Sequence, residues 1–189
     1  MRKELARVSG FVHLKKDRTC SRFGIPKRLW KGRKGKDDVF PDEELIYRRF
    51  KANVDVGDWR SAKCLSTAIF DVKDDSTNRS KYSTDPEDVL HPITRRNPLN
   101  HYQSYGIVSF SVRDFRELSI IPKEPLRFNG VLREFTFHLE HKPECCMYPH
   151  TEIWIMENGR HIPEVSSRMI KTAVRDELLS IIDIVKFPI

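Results

Sequence analysis

The stretch from His138 to Glu152 gathers three histidines, two adjacent cysteines and three glutamates within fifteen residues. Imidazole, thiolate and carboxylate are groups that zinc accepts, but the spacing argues against a simple centre. His138 and His141 are three apart on a segment with a strand pattern, so their side chains leave opposite faces, and the chain has no Cys-x-x-Cys pair. No metal is expected. His141 and His150 flank an eight-residue connection between two expected strands and can approach one another at one end of a sheet. The plainer reading of that pair is two solvated histidines at a polar strand end. A second set of reactive side chains lies upstream, in Tyr47-Arg48-Arg49, Ser66-Thr67-Ala68-Ile69-Phe70 and Ser76-Thr77-Asn78-Arg79. Arginine clamps anionic oxygens through paired donors, and a hydroxyl at a strand start can hold a ribose. Arg49, Ser66, Asn78, Arg79, His141 and His150 are therefore the candidate ligand-binding residues, expected around one concavity at strand ends and loops. Arg and His would favour an anion there, and Ser and Asn would orient it. The plain alternative is ordinary surface pairing of Arg with Asp. No residue is assigned a catalytic role.

Other chemistries lack their motifs. There is no Gly-x-x-x-x-Gly-Lys-Ser/Thr loop, no Gly-x-Ser-x-Gly and no His-Glu-x-x-His. The pairs Asp37/Asp38 and Asp74/Asp75 read as turn residues.

Charge is unevenly placed. The chain has 189 residues and a formal net charge of +7. Residues 1–36 hold thirteen basic and two acidic side chains, a net of +11, which leaves the remaining 153 residues at −4. The densest run is Pro26 to Lys36, where Lys27, Arg28, Lys31, Arg33, Lys34 and Lys36 are interleaved with Gly32, Gly35 and Trp30. Cations that displace counterions, glycines that permit close approach and an indole that stacks on a base suit a nucleic-acid backbone. The competing readings are a solvated tail or a contact for an acidic protein.

The elements that must position these residues follow from pattern. The length suits one domain. The expected division is a basic N-terminal arm, residues 1–36, ahead of a single α+β domain, residues 37–189. Little apolar surface is read in the arm, so the domain is expected to fold without it. Val8–Leu14 can form one short strand. Leu45–Phe50 reads as strand or helix, with strand preferred in its second half. Residues 74–101 read as a long polar loop with one short helix starting at Pro86. Alternation predicts strands over 105–112, 131–141 and 151–162, the last turning at Asn158-Gly159. Apolar residues from Val165 to Val185 recur every three to four positions and predict an amphipathic helix over 166–185, covering an antiparallel sheet. No run of about 18 apolar residues occurs, so no membrane span is expected. Of the four cysteines, Cys64 reads as core filler. With no apolar leader the cytoplasm is the expected compartment, with the thiols of Cys20, Cys145 and Cys146 reduced.

Two resemblances bear on function. From Tyr47 onward, the order of Tyr47-Arg48-Arg49, Ser66 to Phe70, Ser76 to Arg79, Gly106-Ile107-Val108, Pro143 and His150 resembles a group of small, uncharacterised bacterial proteins. The chain departs from that group at Pro149-His150, where the group has Ala-His, and at Ile69, which adds a residue before Phe70. The resemblance implies a bacterial cytosolic origin and a shared fold, and no activity. The inventory of arginines, Ser/Thr-rich segment and a late glutamate, Glu140 or Glu152, is similar to ADP-ribosyltransferase-like folds. That similarity implies a nicotinamide dinucleotide held by Arg and Ser/Thr. The leading expectation is a bacterial nucleic-acid-associated accessory protein of a defence or mobile-element system. Its arm would meet phosphate, its body a protein partner, and it would need no cofactor. The alternative is an ADP-ribosyltransferase-like enzyme of the toxin type.

Overall fold

The computed structural model describes residues 20–21, 24–32, 34–51, 65, 70, 75–91, 102–118, 134–162 and 168–189. The expected strand at Val8–Leu14, together with Arg33, Cys64, Ser66 and Val131, lies outside them.

The fold is α+β, and the described residues build one antiparallel sheet of seven strands: β1 (Leu45–Phe50), β2 (Asp75–Arg79), β3 (Gly106–Ser111), β4 (Phe135–His141), β5 (His150–Glu157), β6 (Arg160–Ile162) and β7 (Asp183–Lys186). The order is β4-β5-β2-β1-β3-β7. Long β5 is shared: His150 to Ile153 pair with β2, while Ile155 to Glu157 pair with β6. The Asn158-Gly159 turn forms as expected, with both residues at positive φ, 48° and 75°, the backbone that a tight two-residue hairpin demands.

One face of the sheet carries the main core. Ile46 and Phe50 from β1, Val108 and Phe110 from β3, Phe135 and Leu139 from β4 and Ile153 and Ile155 from β5 are all buried there. Helix α2 (Arg168–Ser180) adds Ile170, Val174 and Leu178, spaced one turn apart, while Thr172, Asp176 and Glu177 are exposed. Helix α1 (Val112–Glu117) starts where the Ser111 hydroxyl accepts the Asp114 N–H, and it inserts Phe115 into the same core. The opposite face holds smaller clusters. Tyr47 and Ile107 meet Val89 and Leu90 of the 3-10 turn Pro86–Leu90, which Asp85 caps. Ile25 and Leu29 meet Met147.

Three expectations change. Residues 75–79 are not loop but β2, an interior strand of the sheet. It lacks apolar residues, so hydrophobic alternation could not reveal it. Helix α2 ends at Ser180 rather than 185, and Asp183–Lys186 becomes an edge strand on β3. Ile181 to Val185 is rich in β-branched residues, which favour a pleated edge, and Val185 is left 43% exposed. The division at residue 36 does not coincide with a gap in packing. Leu29 is fully buried and Ile25 nearly so, and both pack on Met147 in the β4–β5 connection. Among the described residues, no helix is long and apolar enough to cross a membrane.

Candidate functional site

The period of two along a strand separates the residues expected to form one site. On β2, Asn78 lies opposite Tyr47 and His150, whereas Arg79 lies opposite Ile46 of the main core. Arg49, Asn78 and His150 thus share one face of the sheet, and Arg79 and His141 the other. Ser66 lies outside the described residues. The remaining five do not surround one concavity, because neighbours such as Asn78 and Arg79 cannot point the same way on a strand.

Arg79 is fully buried and serves as the hub of a polar network. Its Nε and Nη2 donate to the two oxygens of Glu44 at 2.9 and 2.7 Å. The remaining donors reach the backbone carbonyls of Asp37 and Val39. The guanidinium lies over the Phe40 ring, 4.0 Å from its centroid. Asp37 accepts the Tyr82 hydroxyl and the Lys81 ammonium. These donors, the Tyr82 hydroxyl first, hold the Asp37 carboxyl well below the ordinary carboxylate range against the opposing effect of burial. Burial and the Asp37 bond together push the Tyr82 phenol up.

The histidines belong to the framework. The Asp37 N–H donates to His141 Nδ1 at 2.9 Å, so the ring proton sits on Nε2 and is donated to the Tyr148 carbonyl at 2.7 Å. In His150 the tautomer is reversed: Nδ1–H donates to the Lys142 carbonyl at 2.8 Å, and Nε2 accepts from Ser76 at 3.0 Å. Both ring nitrogens of each histidine are engaged, and burial lowers both pKa values and favours the neutral form. Arg49 donates to the Val89 carbonyl at 2.9 Å and stacks on Tyr102. Asn78 donates to the Met147 sulfur. A pocket between α1 and β4, lined by Phe40, Phe115, Arg116, Phe137 and His138, includes none of the expected site residues.

The basic run is held in place from several directions. It is entered through the 3-10 turn Lys27–Leu29. Lys31 N–H donates to the Cys145 carbonyl and Tyr148 N–H to that of Leu29, while the Tyr148 hydroxyl donates to Gly35. Trp30 is half-buried. Its indole N–H donates to the Ile25 carbonyl at 2.9 Å and its ring packs against the Leu29–Met147 cluster. Among the described residues, Arg28 is neutralised by buried Asp88 at 2.6 Å, and Lys36 by Glu140 at 2.8 Å and Asp38 at 3.2 Å. Lys27, half-buried Lys31 and exposed Lys34 have no acidic partner among the described residues, and Lys34 lies over the Tyr148 ring at 4.8 Å. Gly32, at φ +54°, and Gly35 have open space where a Cβ would stand, so the backbone beside these lysines is accessible.

The cysteines depart from the expected reduced state. Cys20 and Cys146 form a disulfide across 126 residues of sequence, and Cys145 remains a free thiol. The pairing comes from the fold, which lays the N-terminal segment against the β4–β5 turn. Neither this pairing nor Glu44 as the partner of Arg79 carries a local sequence signal. Comparison with known proteins gave no match to a family model, to a curated sequence or to a solved structure.

Proposed function

We propose that this chain is a nucleic-acid-associated protein that meets the phosphate backbone through Lys27, Lys31 and Lys34. An accessory place in a bacterial defence or mobile-element system, with the body on a protein partner, belongs to the same proposal. The observation that carries the reading is that these three cations are held on a structured segment with no acidic partner among the described residues, while neighbouring Arg28 and Lys36 are neutralised. A merely solubilising tail needs no such anchoring. Cations fixed on a surface bind polyanions with less ordering cost than mobile ones. The ADP-ribosyltransferase-like alternative has less in its favour. Arg48 and Arg49 point to opposite faces, Glu152 is tied to Lys142 and Glu140 to Lys36.

The test is binding of the full chain to labelled duplex DNA, single-stranded DNA and RNA across a salt series. Replacing all three lysines by alanine should weaken binding to every sequence alike. If each lysine meets one phosphate, the slope of log affinity against log salt on duplex DNA falls by about 2.7. Unchanged affinity and slope on all three nucleic acids overturn the proposal.

A further inference from the structure

The connection between β4 and β5 closes as a tight turn. Glu144 and Met147 exchange both backbone hydrogen bonds, N–H to O=C, at 3.1 and 3.2 Å. The two residues between them, at the tip, are Cys145 and Cys146. Both sulfurs face Cys20, which is fully buried. Cys146 is bonded to it, and the Cys145 Sγ stands 3.8 Å from the Cys20 Sγ. All three sulfurs lie within 4.8 Å of one another, although they come from segments far apart in the chain. A structural cross-link requires two cysteines. Here a third sulfur is placed beside the bond, on a turn too tight for Cys145 and Cys146 to bridge each other readily. Cys20 is therefore the electrophile that both turn sulfurs can reach.

We propose that Cys20, Cys145 and Cys146 form a thiol–disulfide exchange site in which Cys20 alternates between the two turn cysteines. In the exchange, the Cys145 thiol loses its proton and the thiolate attacks the Cys20 sulfur. A Cys20–Cys145 bond forms, the Cys20–Cys146 bond breaks, and Cys146 leaves with the electron pair and takes up a proton. The step is redox-neutral and needs no co-reactant. Opening the cross-link altogether takes two electrons and two protons from an external dithiol, which becomes a disulfide as Cys20 and its partner become thiols. The Cys20 attachment lies just ahead of the basic run. Ile25 N–H donates to the Cys20 carbonyl, and Lys31 N–H to that of Cys145. The exchange site therefore fastens the N-terminal end of that run to the sheet, and two interchangeable partners keep it fastened when one thiol is modified. This inference stands on the sulfur geometry and does not depend on nucleic-acid binding.

The test uses the full chain, oxidised, denatured in acid without reductant so that thiolate exchange stops, alkylated with maleimide, digested and read by fragmentation mass spectrometry. The wild type should yield the Cys20 peptide linked to the turn peptide in both isomers, through Cys145 and through Cys146. In Cys146→Ser, Cys20 should stay protected from maleimide through Cys145, and in Cys145→Ser through Cys146. The double substitution should leave Cys20 fully alkylated. A single isomer in the wild type overturns the proposal. So does a purified protein in which Cys20, Cys145 and Cys146 are all reduced and one equivalent of zinc is bound, since the cluster is then a metal site. The wild-type isomer measurement needs no variant and stands even if a substitution impairs folding.

Discussion

Replacing Glu44 by Gln tests the Arg79 hub. The amide keeps the shape of the side chain, but its NH2 faces an arginine donor and its charge is gone. Arg79 is fully buried, and its side chain makes two hydrogen bonds to Glu44, at 2.9 and 2.7 Å. Removing one partner of a buried ion pair costs about 3–5 kcal/mol, because the other charge is left uncompensated out of water. The carbonyls of Asp37 and Val39 still accept from the guanidinium, and the Asp37 carboxylate lies 3.5 Å from Nη1. These residual contacts put the expected cost at the lower end, about 3 kcal/mol. For a chain of this size that is a fall in Tm of roughly 6–12 °C. Lys81→Ala is the control. It removes an ion pair to Asp37 whose lysine side chain is 43% exposed, worth at most about 1 kcal/mol. Urea unfolding followed by circular dichroism measures both variants. A Glu44→Gln cost no larger than that of Lys81→Ala would refute the reasoning, since the pair would then be solvated rather than buried.

Two further outcomes follow from the same packing. Burial lowers the pKa values of His141 and His150, so the unfolded chain binds more protons than the folded one just below the ordinary value of about 6.5. Stability is therefore full above that pH and falls as the pH drops through it, by up to about 1.4 kcal/mol per pH unit for each histidine. Urea midpoints at pH 7.5, 6.5 and 5.5 check this, and a flat profile would contradict the neutral buried rings. The depressed carboxyl of Asp37 acts in a separate window, its contribution being present above about pH 4 and lost below. Leu29→Ala should cost about 2–5 kcal/mol, as for a core leucine, because Leu29 is fully buried against Ile25 and Met147. Denaturant unfolding of the variant measures it, and a change below about 0.5 kcal/mol, typical of a surface site, would mean that the basic segment does not pack on the sheet.

The elements legible in the sequence are those whose own residues carry the structural instruction. Val108 and Phe110 alternate on β3, Phe135, Phe137 and Leu139 on β4, and Asn158-Gly159 supplies the positive φ its hairpin needs. Such signals are local, and they were enough to indicate an α+β fold with an antiparallel sheet and a C-terminal helix. Strand β2 was hidden because its buried residues, Thr77, Asn78 and Arg79, are polar. Their burial is tolerable only because Thr151, Met147 and Glu44 supply partners from other strands and loops. Arg79 and His150 lie on opposite faces of the sheet for an equally physical reason: residue types can be read one by one, but the face each occupies follows from the register, which was not legible inside a segment read as loop. The basic charge of residues 1–36 was fixed by composition alone. That Leu29 and Ile25 would seat this segment on Met147, and that Cys20 would meet Cys146, was decided by tertiary structure. Contacts across more than a hundred residues depend on how the whole chain closes, and no local pattern encodes that.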